Sequence, residues 1–316
     1  MATESRTAIY AAMFGNLAIA VTKFAAAFFS GSSAMTAEAI HSLVDTGNEV
    51  LLLYGLRQSR QLPDQAHPFG YGREIYFWSF VVAVLIFALG GGMSVYEGIT
   101  HLIHPHPVED ARMNFIVLGL AAVFEGISWY YGWRAFRTVK GRQTILEAAH
   151  TSKDPTSFLV VFEDSAALLG LLIAFVGVWL GQQFDRPYFD GAASITIGLV
   201  LSLMAVFLAW ESKGLLIGEG VDRATRERIL SLAASDQAVE RVDHALTMYL
   251  GPHDILLTLE VRFRDNLTSE QIRTAVQRLA QRIREEYPDI HRIFFESTAL
   301  AEKRHEWLQS DQSPAR

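Results

Sequence analysis

The stretch at residues 34–56 constrains this chain more than any other. It is long and apolar enough to cross a bilayer, yet one helical stripe within it carries Glu38, His41, Asp45, Asn48 and Glu49. A mid-membrane Asp costs about 2.5–3.5 kcal/mol, whereas each Leu, Ile or Val returns only about 0.3–0.6 kcal/mol. The stripe therefore cannot face lipid and must face other helices, water or a cation.

Two interpretations of this stripe follow from the residues alone. Ionisable groups inside a membrane segment indicate a functional site by default. The alternative is a structural polar network between helices, or helix ends that are simply hydrated. The sequence of this segment does not decide between them.

Composition places the chain among polytopic membrane proteins with a modest soluble part. Half of its 316 residues are hydrophobic and only 19% are charged, below the roughly 25% of soluble proteins. The net charge of −7 argues against nucleic acid as a partner. Cysteine is absent, so any metal ligands must be His, Asp, Glu, Asn or backbone oxygen.

Six segments have the roughly 20 apolar residues that a bilayer span needs. They are residues 8–29, 34–56, 76–99, 113–136, 157–180 and 189–210. Basic residues concentrate in the loops after the second and fourth segments: Arg57, Arg60, Arg73, Arg134, Arg137, Lys140, Arg142 and Lys153. The positive-inside rule places those loops and both termini in the cytoplasm. The lack of an Arg- and Ser-rich leader favours a bacterial inner (plasma) membrane.

From residue 213 the pattern becomes that of a soluble domain. Helical periodicity at 222–235 and 269–287, with alternation at 239–250, 255–264 and 290–297, predicts the order helix–strand–strand–helix–strand. The expected fold is a mostly α membrane protein with a small cytoplasmic α+β domain of αββαβ, metallochaperone-like order. Three regions are expected: a six-helix transmembrane transport domain (1–212), the α+β domain (213–300) and a polar tail (301–316).

Two of the apolar segments carry residues suited to metal binding. His41 and Asp45 lie one helical turn apart, so an imidazole and a carboxylate can bind the same ion. Glu163 and Asp164, near the start of the fifth segment, supply further ligands. Adjacent helical residues point about 100° apart, so only one of these two faces a shared site squarely. Asp164 is the preferred ligand; Glu163 is a fourth ligand, a nearby base, or a residue hydrogen-bonded between helices.

These residues resemble the cation diffusion facilitator family of proton-coupled zinc transporters. The resemblance rests on His41 to Asp45, the loop from Pro63 to Glu74 (PDQAHPFGYGRE), Asn16, Asp164, Asp190 and the small C-terminal domain. The run from Ser152 to Asp164 resembles the subgroup of the animal mitochondrial zinc exporter, which has bacterial relatives. The resemblance implies export of a divalent cation, foremost Zn²⁺, in exchange for protons, by a homodimer joined through the C-terminal domain. The metal is then a transported substrate rather than a prosthetic group, and the chain is not an enzyme.

The chain departs from the family pattern at three places. Val160 stands where most zinc-transporting members have a His, so Glu163 or water would complete the site and Mn²⁺, Fe²⁺ or Co²⁺ become alternatives to Zn²⁺. Asp64 and His67 match a candidate second metal site, but Tyr71 replaces its further His. The matching C-terminal positions carry no His, which predicts a metal-free dimerisation domain: Asp243, Thr258, Arg273, Phe295 and Ser297.

Other features leave one alternative function open and set further expectations. GxGxxG, Walker and HExxH motifs are absent, so nothing indicates nucleotide hydrolysis or a zinc protease. A metal-binding membrane scaffold that moves nothing is the alternative to transport. Lys23 is predicted to snorkel to the outer interface. Interhelical hydrogen bonds are predicted for Glu97 and Glu125, and a hydrated interfacial loop for His101, His104 and His106.

Overall fold

The computed structural model describes residues 2–105, 111–140, 144–145 and 153–297. The chain divides into two compact units: Met1–Arg60 with Glu74–Lys213, and Gln61–Arg73 with the residues from Gly214 onward. The short segment Gln61–Arg73 thus belongs to the C-terminal unit although it connects two helices of the first. The predicted polar tail (301–316) and His106 lie outside the described residues.

We call the first unit, Met1–Arg60 with Glu74–Lys213, the membrane unit. Its first two helices form a tight hairpin. Helix α1 (Ala2–Ser30) and helix α2 (Ser33–Ser59) are separated by only Gly31 and Ser32. Gly31 has a φ of +65°, a conformation that favours glycine, and its N–H donates to the last turn of α1. The hydroxyl of Ser32 then accepts the N–H of Met35 and caps the start of α2. This connection sets α2 antiparallel to α1.

Four further helical stretches complete the membrane unit. Helix α3 (Glu74–Leu85) continues through a wider π-helical turn (Ile86–Gly92) into α4 (Met93–Ile103), followed by α5 (Ala111–Lys140), α6 (Pro155–Phe184) and α7 (Tyr188–Ile217). Within the described residues, four helices are long and apolar enough to cross a membrane: Glu74–Ile103, Arg112–Arg134, Phe158–Phe184 and Tyr188–Ile217. Asn16–Ser30 is a shorter apolar helix. The protein is thus a mostly helical membrane protein, and α2, with its polar stripe, is not among those four.

Helices α4 and α7 approach each other closely because glycine lines their contact. A Cβ on Gly98 would lie 2.6 Å from the carbonyl oxygen of Gly191 and 2.8 Å from the backbone nitrogen of Ile195. One turn away, the hydroxyl of Ser194 donates to the carbonyl of Ser94 at 2.8 Å. Small residues at such crossings let the backbones pack together in a membrane.

The C-terminal unit has the predicted order helix–strand–strand–helix–strand. It comprises α8 (Arg223–Ala234), β1 (Val239–Gly251), β2 (Asp254–Phe263), α9 (Ser269–Glu286) and β3 (Ile290–Ser297). The sheet order is β1–β2–β3, with β1 antiparallel and β3 parallel to β2. One face is covered by the apolar sides of both helices, and the core includes Ile229, Leu257, Leu259, Leu279 and Ile283. These boundaries agree with the sequence pattern to within about one residue.

Candidate metal centre

Helices α1 and α2 meet along a polar seam. At one end, the Nζ of Lys23 lies 3.0 Å from Oε2 of Glu38 and donates to Oγ of Ser42 at 2.8 Å. At the other end, the side-chain amide of Asn16 donates to Glu49 at 2.7 Å. The predicted snorkelling of Lys23 is therefore wrong: its side chain is fully buried in an ion pair between helices.

The first turn of α2 is fixed to α7 by a buried carboxylate. Oδ1 of Asp190 accepts the hydroxyl of Ser32, and its Oδ2 accepts the backbone N–H and hydroxyl of Ser33. The Nε2 of His101 lies 3.8 Å from the same carboxylate and the imidazole is buried, not in a hydrated loop. A negative charge at a helix N-terminus is stabilising, so Asp190 anchors the helix that carries the polar stripe.

A cavity of about 50 Å³ lies between helices α1, α2, α5 and α6. Ten residues line it, five of them carboxylates: Asn16, Ser42, Asp45, Glu49, Leu52, Glu125, Ser128, Val160, Glu163 and Asp164. The structure therefore brings together three of the four ligands expected from sequence. Glu49 and Glu125 also line the cavity, although the sequence pattern favoured only an interhelical hydrogen bond for Glu125.

The two carboxylates of α6 are both oriented by neighbouring helices. The amide of Asn48 donates to Oε1 of Glu163 at 2.7 Å, and the hydroxyl of Ser128 donates to Oδ2 of Asp164 at 2.9 Å. Both side chains line the cavity, so the expectation that only one of them faces it squarely is too strict. A cavity between several helices accepts side chains from a wider arc than a single facing helix does.

His41 lies beside the cavity rather than in its lining. Its imidazole is buried, and its Nδ1 is 3.4 Å from Oδ1 of Asp45. Neither ring nitrogen has a hydrogen-bond partner within the described residues. In that part of the chain, no three His, Asp or Glu side chains converge tightly enough to ligate one ion as they are placed. Metal ligation by these residues thus requires side-chain movement.

The cavity concentrates negative charge with little to offset it. Asp45 and Glu163 line the same small cavity. Carboxylates held close together repel each other unless a proton or cation lies between them. Within the described residues, Lys23 is a cation that lies against this seam, and its ammonium contacts Glu38 and Ser42. The arrangement is chemically suited to binding protons or cations.

The loop residues Asp64 and His67 are exposed and bound to each other. Asp64 accepts the backbone N–H of His67 at 2.6 Å and the hydroxyl of Tyr71 at 2.7 Å, and the His67 and Tyr71 rings pack 4.2 Å apart. The Tyr71 and His67 hydrogen bonds hold the pKa of Asp64 below its ordinary value. Both carboxylate oxygens of Asp64 thus bind within the loop. Metal binding at Asp64 and His67 stays a prediction.

Comparison with known proteins gives one family. Residues 9–217, more than half of the chain, match the model of the cation efflux transmembrane domain. The chain is 30% identical over 286 residues to metal tolerance protein C4 of Arabidopsis thaliana, covering 89% of this chain and 63% of that protein. It is 33% identical over 244 residues to the mouse mitochondrial proton-coupled zinc antiporter SLC30A9, covering 76% of this chain and 43% of that protein.

A bacterial relative matches over nearly its whole length. The chain is 24% identical over 285 residues to the cation-efflux pump FieF of Escherichia fergusonii, covering 90% of this chain and 89% of that protein. By contrast, the chain spans less than two thirds of the plant and mouse relatives. The carboxylate-lined cavity agrees with the domain match and with the relatives. The chain belongs to the cation efflux, or cation diffusion facilitator, family, whose members are membrane transporters and not enzymes.

Proposed function

We propose that this protein is a proton-coupled antiporter that moves a divalent cation, foremost Zn²⁺, out of the cytoplasm. One observation carries the proposal: Asp45 of α2 and Glu163 and Asp164 of α6 line a single cavity within the membrane unit. Carboxylates are expensive in a membrane interior and mark substrate or ion pathways there. The family membership supplies the direction of transport that the cavity alone does not.

Proton coupling follows from the chemistry of the ligands. A carboxylate or imidazole must be free of its proton to bind a metal, so protons and metal compete for the same atoms. His41, beside Asp45, adds an imidazole to the carboxylates. Protons entering from the far side would then displace the cation, and the proton gradient would drive export. The mouse relative bears the name of a proton-coupled zinc antiporter, which agrees with this proposal.

The identity of the cation depends on the oxygen-rich lining. His41 is the one imidazole near the cavity within the described residues, and Val160 contributes no ligand atom to it. Oxygen-rich sites suit Mn²⁺ better than sites with several imidazoles do, and Fe²⁺ and Co²⁺ also accept mixed ligands. Export of one of these ions is therefore the alternative to Zn²⁺.

The proposal includes a six-span arrangement in which α1 and α2 cross the membrane with the four apolar helices. The basic loops after α2 and α5 would face the cytoplasm with both termini. The C-terminal αββαβ domain would join two copies as a dimer. Residues of the exposed loop, Asp64 and His67, would add little metal affinity because the carboxylate already binds within the loop.

Metal uptake into proteoliposomes with an acidic lumen tests this function. Zn²⁺, Mn²⁺, Co²⁺ and Fe²⁺ would be compared by fluorescence, for the wild type, Asp164→Asn and the matched control Asp185→Asn in the exposed α6–α7 connection. We expect flux that collapses when the proton gradient is removed and in Asp164→Asn, but not in the control. Metal binding without flux for any ion would instead indicate a scaffold that moves nothing.

A further inference from the structure

We propose that the buried Lys23–Glu38 ion pair is the gate that closes one end of the cation cavity. This inference rests on the proposed transport function. Lys23 is on α1 and Glu38 on α2, and both side chains have no exposed surface. Replacing a buried ion pair with apolar residues is often neutral or stabilising, so stability alone is a weak reason for its presence.

The position of Ser42 relates the pair to the cavity. Ser42 lines the cavity and its hydroxyl accepts a hydrogen bond from Lys23 at 2.8 Å. On α2 the lining extends from Ser42 through Asp45 and Glu49 to Leu52, that is, in one direction away from Lys23. The ammonium group therefore stands at the end of the cavity that is nearer the α1–α2 connection.

Glu38 also brings the ion pair against helix α6. Its Oε1 occupies the space that a Cβ on Gly170 would need, six residues beyond Asp164 on the same helix. The pair thus reaches across α1, α2 and α6 just beyond the cavity. That Oε1 has no hydrogen-bond partner within the described residues, although the side chain is fully buried. A buried acceptor left unsatisfied is costly, which suits a contact that opens during a transport cycle better than a permanent lock.

The charge of Lys23 supplies the physical basis of the gate. A divalent cation bound among Asp45, Glu163 and Asp164 is repelled by an ammonium that lies just behind Ser42 at the end of the same cavity, and charge–charge repulsion is strong where water is scarce. The cation can pass Ser42 only when Lys23 moves away. Glu38, released from Lys23, would then offer a carboxylate beyond the gate.

The main test removes both charges at once. Lys23→Met/Glu38→Gln keeps the side-chain lengths and leaves no unpaired buried charge, and Zn²⁺ is the probe in proteoliposomes. We expect Zn²⁺ flux down its own gradient, without any proton gradient, to rise about tenfold, the effect of lowering a barrier by ~1.4 kcal/mol. The charge-exchanged variant Lys23→Glu/Glu38→Lys should restore the closed state. Thr22→Ala, an exposed change on α1, serves as the control and should not leak.

A labelling experiment tests from which side of the membrane the cavity can be reached, without measuring transport. The chain has no cysteine, so Leu52→Cys would be its single thiol, in the lining far from Lys23. A membrane-impermeant thiol reagent should modify it from one side only in the wild-type background. In the Lys23→Met/Glu38→Gln background we expect modification from both sides. A purely structural ion pair would change the amount of folded protein but not the side of access.

The outcomes separate this inference from the proposed function. If the wild type moves no metal under a proton gradient, the proposed function fails. If the wild type transports but the double variant, per folded molecule, shows no added leak and one-sided labelling, the gate is overturned. If the double variant does not fold, Ser42→Ala decides, because it removes one of the two bonds to the ammonium with little change in volume. An unchanged leak in Ser42→Ala would then contradict the gate.

Discussion

Three of the five carboxylates that line the cavity are held by neutral donors from other helices. Asn16 donates to Glu49, Asn48 to Glu163 and Ser128 to Asp164. Such donors orient a carboxylate without neutralising it, so the negative charge stays available to a proton or a metal ion. Glu125 differs, because it lines the cavity and no side-chain donor is assigned to it within the described residues.

Neutralising Glu125 should weaken metal binding. Its carboxylate adds to the negative potential at Asp45, Glu163 and Asp164, and groups around a metal site typically affect its affinity 10–100-fold. We expect Glu125→Gln to lower Zn²⁺ affinity by about tenfold, measured by isothermal titration in detergent. Glu97→Gln is the matched control, since Glu97 is also a half-buried intramembrane glutamate but does not line the cavity. Equal effects of the two substitutions would show that Glu125 has no particular role.

The helices of the membrane unit include a polar seam and a close-packed contact. The α1–α2 seam is polar, and its ion pair leaves an acceptor unsatisfied. The contact between α4 and α7 is tight and lined by small residues, with backbone against backbone at Gly98 and Gly191. Packed backbones have no side chains that can rotate to relieve strain, so this contact resists change. Transport movements are therefore expected at α1 and α2 rather than between α4 and α7.

An added methyl group at the tight contact should be destabilising. In Gly98→Ala the new Cβ would lie 2.6 Å from a carbonyl oxygen and 2.8 Å from a backbone nitrogen, so the helices must move apart. Overpacking of this kind costs about 1–3 kcal/mol. We expect a lower Tm in detergent for Gly98→Ala. Gly119→Ala, where no atom lies within 4 Å of the new Cβ, should keep or raise the Tm because Ala favours helix more than Gly does.

At the scale of the whole molecule, the chain passes between its two units at three points. The segment Gln61–Arg73 leaves the membrane unit after α2, packs with the C-terminal unit and returns to α3. Phe69 lies under the guanidinium of Arg292 at 5.7 Å, and Gly72 lies against the backbone at Leu250. The C-terminal unit thus includes a segment that is covalently continuous with the end of the helix that carries Asp45.

The hydrophobic pattern of the sequence predicted the helices and strands well, but it did not predict which helices pack against each other. Alternation and helical spacing located β1, β2, β3 and α9, because each burial face repeats within a few residues. The polar stripe of α2 was also evident from spacing. The partner of Lys23 and the anchor at Asp190 were not, because hydrogen bonds between residues 15 and about 157 positions apart depend on helix packing. The same reason explains why the cavity position of Glu125 was missed.

Disrupting the packed loop tests how independent the two units are. In Gly72→Ala the Cβ would overlap the carbonyl of Leu250, and its three nearest neighbours are all backbone atoms. Hydrogen exchange should show faster opening of residues 61–73 and of the β1–β2 turn, equivalent to about 1–3 kcal/mol of lost local stability. Gln65→Ala, an exposed change in the same loop, should leave exchange unaltered.

Zn²⁺ affinity should stay near the wild-type value in Gly72→Ala, because the cavity is built wholly from the membrane unit. A marked loss of affinity would instead mean that the docked loop sets the position of α2, and the cavity would then have to be treated as coupled to the C-terminal unit.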